Sequence, residues 1–129
     1  SETLVLISSS KKQNSFIRKA EYPGGSEALR KFIKNHLSYP KEALMHRVEG
    51  NVLCKYEVND EGKVHSISVT NGIGFGCDKE AMRIIHLLNY SQAKNRGVKV
   101  NTKFKITINF KLPEVKNIKI NYIYTRKNN

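Results

Sequence analysis

Apolar residues Val52, Cys54, Tyr56 and Val58 alternate with Leu53, Lys55 and Glu57. A period of two sends successive side chains to opposite faces, so this stretch reads as a half-buried strand. The same signal returns within residues 98–112. There Phe104, Ile106, Ile108 and Phe110 face one way, and Lys103, Lys105, Thr107, Asn109 and Lys111 face the other. One apolar face and one wet face is the mark of an antiparallel sheet covered on a single side. Residues 59–63 (Asn-Asp-Glu-Gly-Lys) form a hairpin loop, with a glycine available for a positive φ. Residues 64–70 are the return strand. Val64 and Ile67 are out of step while Ile67 and Val69 agree, so a bulge is expected near His65-Ser66.

Helices fill the space around these strands. Tyr22-Pro23-Gly24-Gly25 is a turn that delivers the chain to Ser26, read as an N-cap. Ala28, Leu29, Phe32, Ile33 and Leu37 then repeat at helical spacing. Tyr39-Pro40 stops that helix, because the residue before proline is pushed out of the helical region. Pro40 falls in the first turn of a second, short helix with Ala43, Leu44 and Val48 inward and Gly50 as its C-terminal glycine. After a glycine-rich loop at 71–76, Cys77 or Asp78 caps a third helix, and Glu80 brings charge suited to its N-terminus. Ala81, Ile84, Ile85 and Leu88 form its apolar stripe. A short strand is expected at residues 3–7, a polar linker at 8–15, and a further strand at 117–125 beyond Pro113. The fold class is therefore α+β: a small antiparallel sheet of about three core strands, an extra C-terminal strand, and two or three helices on one face. The organisation is an extension at 1–20, a domain at 21–112 and a basic-tailed extension at 113–129.

A chain of 129 residues suits one domain, and 39% hydrophobic with 26% charged residues is globular composition. The net charge of +12 favours anionic partners, but it is spread along the chain rather than gathered in a block. No apolar run approaches the roughly 20 residues of a membrane span. The chain opens at Ser1, which leads to the expectation of a processed or trimmed protein whose anchor or export signal has been removed.

The chemistry-bearing residues are sparse. Gly72-Ile73-Gly74-Phe75-Gly76 has the spacing G-x-G-x-G rather than G-x-G-x-x-G, and it follows a hairpin strand. It reads as a tight connection, not a phosphate cradle. His36, His46, His65 and His86 lie apart and none sits at metal-ligand spacing with a cysteine, so neither metal nor cofactor is expected. Cys54 reads as a small buried side chain; a Cys54–Cys77 bridge is left open by spacing alone. No G-x-S-x-G elbow occurs, and Asp60 and Glu61 lie in a turn, so no enzyme activity is expected. Nucleic acid is not the expected partner, since Lys103, Lys105 and Lys111 are not interleaved with stacking aromatics. What remains is the sheet edge, where an extended peptide can add as a strand.

An ordered series of motifs resembles the C-terminal domain of TonB in the form common among Bacteroidetes. It runs through Tyr22-Pro23-Gly24-Gly25, Tyr39-Pro40-Lys41-Glu42-Ala43, Glu49-Gly50-Asn51-Val52 and Val58-Asn59-Asp60-Glu61-Gly62. It continues through Gly74-Phe75-Gly76-Cys77-Asp78-Lys79-Glu80-Ala81-Met82-Arg83, Ala93-Lys94-Asn95-Arg96-Gly97 and Ile108-Asn109-Phe110. The resemblance implies a periplasmic domain, anchored to the inner membrane in a longer parent, that couples the proton-driven ExbB and ExbD motor to outer-membrane receptors. Such domains grip a receptor segment, the TonB box, as a strand added beside their last core strand. Carried over, the docking strand is residues 100–112, with Val100, Thr102, Lys103, Lys105, Thr107, Asn109 and Lys111 contributing. Tyr39 and Pro40 correspond to a lead-in motif near that surface. The sequence departs from the family in having Tyr90 near a usual Trp and Thr107 where Pro is usual in the strand. Residues 117–125 are expected to be able to pair with the docking edge, within the chain or in a swapped homodimer. The alternative function is a stand-alone periplasmic interaction or sensor domain that borrows the fold and has no energy-transducing role.

Overall fold

The computed structural model describes residues 18–92, 95 and 97–113. The strand expected at 3–7, the linker and the strand expected at 117–125 lie outside the described residues. Six elements follow in order: α1 (Gly25–His36), α2 (Lys41–Met45), β1 (Gly50–Val58), β2 (Val64–Asn71), α3 (Cys77–His86) and β3 (Thr102–Phe110). The three strands form one antiparallel sheet in the order β2-β1-β3, with the helices packed on one face. This is the α+β architecture expected from the alternation.

The two ladders differ in regularity. β1 and β3 pair without interruption from Gly50↔Phe110 to Val58↔Thr102. β1 and β2 slip register twice, between Leu53 and Cys54 and again between Lys55 and Glu57. Ser66, at φ 55, lies in the second slip. The extra residue there shifts the inward phase from Val64 to Ile67 and Val69, as the sequence pattern requires. The core is the inward face of β1 and β3 roofed by the helices. Val52, Cys54, Tyr56, Val58, Ile106, Ile108 and Phe110 are all at most 1% exposed, as are Leu29 and Ile33 of α1 and Ala81, Ile84 and Ile85 of α3. Tyr22, Tyr56, Tyr90 and Phe104 form an aromatic cluster at one end, and the buried Tyr56 and Tyr90 hydroxyls hydrogen-bond to each other.

Helix boundaries depart from the expectations because the caps are made by backbone. α1 starts at Gly25 behind Gly24, which takes the left-handed conformation at φ 89; Ser26 lies inside the helix and is not its cap. A Cβ on Gly24 would sit 2.7 Å from the Ala28 Cβ, so the turn into α1 needs a bare backbone there. α1 ends at His36, before Tyr39-Pro40. Pro40 is the N-cap of α2 rather than part of its first turn. Gly50 does not close α2: the chain turns back at Arg47, φ 53, and Gly50 already belongs to β1. Leu44 is 44% exposed, so Ala43 alone forms the buried side of that short helix. Neither Cys77 nor Asp78 caps α3, whose N-cap is the left-handed Gly76. Leu88 is buried as expected but lies past the helix end. β3 begins at Thr102, four residues later than the alternating run suggests.

Candidate functional site

β3 lies at one edge of the sheet and pairs only with β1. Among the described residues its outer side meets no strand, so one row of main-chain donors and acceptors is open to an added strand. β2 forms the other edge, but its two slips and the positive φ of Ser66 break the even spacing that strand addition needs. The two edges are therefore not equivalent, and β3 is the one fit to serve as a template.

The residues expected at the docking strand divide into groups. Lys103, Lys105 and Lys111 are exposed, and Thr107 and Asn109 are half-buried. Val100 precedes the strand and is half-buried. Thr102 turns inward: it is 3% exposed, and its Oγ1 accepts the Ala20 N–H at 3.1 Å. Its side chain belongs to the core, which leaves only its main chain for a partner. At the far end the Leu112 N–H donates to Glu49 Oε2 at 2.7 Å and fixes the strand's exit. Asn109 Nδ2 donates to Asn51 Oδ1 at 2.7 Å, while the buried Asn109 Oδ1 has no hydrogen-bond partner among the described residues.

Tyr39 sits behind the strand rather than along its edge, and Pro40 lies beside Gly76 at the start of α3. The Tyr39 ring stands edge-on to Phe110 at 5.7 Å, and its hydroxyl donates to the Val48 carbonyl. Burial, with smaller contributions from Cys77 and Glu49, raises the phenol's pKa above its ordinary value. Tyr39 therefore meets the strand at its inward face, through Phe110.

Charge on the open face is uneven. Lys105 lies directly opposite Lys55, and both are exposed; Lys103 lies opposite Glu57. Like charges directly across a ladder repel, so this part of the face favours a negatively charged neighbour.

Elsewhere, polar groups are already engaged. Asp78 Oδ1 accepts the N–H groups of Ile73 and Gly74 at 2.9 and 3.3 Å. A carboxylate thus occupies the amides of the glycine-rich loop that a phosphate would need. The His36 ring stacks on Phe32, and His65 hydrogen-bonds Asn101 and Ser66. Both cysteines are free and buried, so the open question of a bridge is answered in the negative. Burial pushes the Cys54 thiol up to about 11, with a lesser push from Asp78, and also raises Cys77. No helix among the described residues is long and apolar enough to cross a membrane.

Sequence reasoning missed the Glu80–Arg83 brace. Glu80 Oε1 accepts from Arg83 Nε at 2.8 Å, and Oε2 accepts from Arg83 Nη2 at 2.8 Å and from the Ser38 N–H at 2.7 Å. Arg83 Nη2 also donates to the His36 carbonyl at 3.0 Å, tying α3 to the end of α1. The i, i+3 spacing of opposite charges on one helix was the available signal.

The fold is of the α+β class, a three-stranded antiparallel sheet with its helices packed on one face. The chain belongs to the family described as Gram-negative bacterial TonB protein C-terminal, whose model matches residues 35–112. The match takes in the last residues of α1, all of α2 and α3, and the three strands. Comparison with curated proteins and with solved structures found no match.

Proposed function

We propose that this domain works in the periplasm as the receptor-binding end of a TonB-type energy transducer of the Bacteroidetes form. In this reading it takes the TonB box of an outer-membrane receptor as a fourth strand along β3. A longer parent chain, anchored in the inner membrane, links it to ExbB and ExbD. The observation that carries the reading is the contrast between the two sheet edges: β3 runs in unbroken register and, among the described residues, is open, whereas β2 is bulged twice. Main-chain pairing supplies affinity in such a mode, and alternate side chains supply selectivity. Lys103 and Lys105, with Thr107 and Asn109, line the wet face beside the incoming strand. The facing Lys55 and Lys105 favour a receptor segment that carries a carboxylate.

The same edge would accept residues 117–125 of this chain or of a second copy, which would mask it. Titration of the domain, with and without residues 113–129, against receptor N-terminal plug peptides tests both points by amide chemical shift. Shifts centred on residues 100–112 are expected, and they grow on truncation if the tail competes for the edge. No shift in either form, across peptides from all the host's receptors, rules out the transducer role and favours a stand-alone interaction domain.

A further inference from the structure

A regular sheet edge does not by itself say where an added strand must sit. Along β3 every second residue offers the same main-chain pattern on the same face, so a partner can slide by two residues and keep its ladder bonds. Taking one segment in one register therefore needs a fixed group beside the edge. The lysines do not supply it. Lys103, Lys105 and Lys111 are exposed, and a flexible ammonium side chain reaches several positions equally well. Thr107 lies opposite Leu53, whose apolar side chain cannot hold the hydroxyl in one orientation.

Asn109 is different. It stands directly opposite Asn51, and its Nδ2 donates to Asn51 Oδ1 at 2.7 Å. That bond orients the amide plane and spends its donor towards β1. The Oδ1 of a planar amide cannot point the same way. Among the described residues it is the one buried side-chain polar atom without a hydrogen-bond partner. Reversing both amides would leave an N–H unmet in its place, so in either sense one half of the group is unsatisfied. Rows of Asn and Gln side chains grow from strand to strand, each carbonyl accepting from the next amide. A primary amide on an added strand carries a donor and an acceptor, and completes the row in either sense. A carboxylate only accepts, an ammonium only donates, and an alkyl group does neither.

We propose that Asn109 sets the register on β3 and selects a receptor segment with an asparagine or glutamine beside it, extending the Asn51–Asn109 row by one amide. This rests on the strand-addition reading and adds to it the side chain that the incoming strand must bring.

The test uses the full chain, isotope-labelled, with short synthetic peptides of alternating Thr and Val. One Thr is replaced by Asn, and the Asn is moved along the peptide by two residues at a time. NOEs are expected to place the peptide Asn beside Asn109 in every case, so the strand slides as the Asn moves. Each Asn peptide should bind about tenfold tighter than the same peptide with Leu at that place. Asn109→Thr should abolish that preference and release the register, whereas Lys105→Ala should change neither. A register indifferent to the Asn, or equal affinity for Asn and Leu peptides, with NOEs still along β3, would overturn the proposal and leave strand addition standing. No peptide along β3 would bring down the strand-addition reading and the proposal with it. NOEs from the Asn109 side chain to Asn117 or Asn121 in the peptide-free chain would assign the missing donor to the chain itself and overturn the receptor assignment. The register series on the unsubstituted chain needs no variant to fold.

Discussion

Glu80 shows how much one side chain can organise at the level of single residues. Its carboxylate gathers an N–H from the α1–α2 connection and two from Arg83 while lying almost wholly out of water. Glu80→Ala leaves those donors without their acceptor, which typically costs about 1–3 kcal/mol. Urea denaturation should show that loss, and Glu80→Gln, which can still accept the Ser38 N–H, should lose less. Cys54 gives a pH signature. Burial raises its thiol to about 11 from 9.0, so on raising the pH the unfolded chain loses this proton first. Stability is then fully present below the ordinary thiol pKa and falls as pH climbs towards 11. The slope from this group is at most ~1.4 kcal/mol per pH unit. Denaturation midpoints measured across that range should fall less steeply in Cys54→Ala than in the parent. A matching slope in the two proteins would remove Cys54 as the cause.

At the level of elements, the β1–β3 ladder is continuous and the β1–β2 ladder is not. Hydrogen exchange should therefore find the amides that β1 and β3 share the best protected in the sheet. Those of β2 around Ser66 should open at least about tenfold faster, equivalent to roughly 1.4 kcal/mol. Uniform protection across the three strands would contradict this. The strands were legible because alternation is a direct print of burial: Val52 to Val58 and Phe104 to Phe110 face inward as their spacing required. Even the bulge announced itself, through the broken phase between Val64 and Ile67. Helix ends were not legible, since Gly24, Gly76 and Arg47 turn the chain by backbone conformation, without a side-chain cap whose residue type would mark the place. Asp78 misled for a related reason. It sits where an acidic residue could cap a helix, yet its carboxylate is spent on the preceding loop, whereas Glu80 lies in the first turn of α3 as expected and also reaches Ser38. Thr102 shares the parity of Phe104 and so turns inward with the alternation; what the sequence did not show is the Ala20 N–H that its hydroxyl accepts there.

At the scale of the whole molecule, the net charge of +12 biases any encounter towards acidic partners. The open face of the sheet adds a local reason in the opposed Lys55 and Lys105. What organises the described residues is the asymmetry of the sheet's edges, one regular and without a further strand, one bulged. Membership of the TonB C-terminal family fits that asymmetry, and the strand-addition account turns on it. The most direct measurement is a set of NOEs between a receptor TonB-box peptide and the labelled domain. The account predicts cross-strand contacts from peptide backbone protons to the backbone of residues 103–109, in a regular two-residue repeat. A bound peptide whose contacts fall on β2 or on the helices, with none along β3, would contradict it.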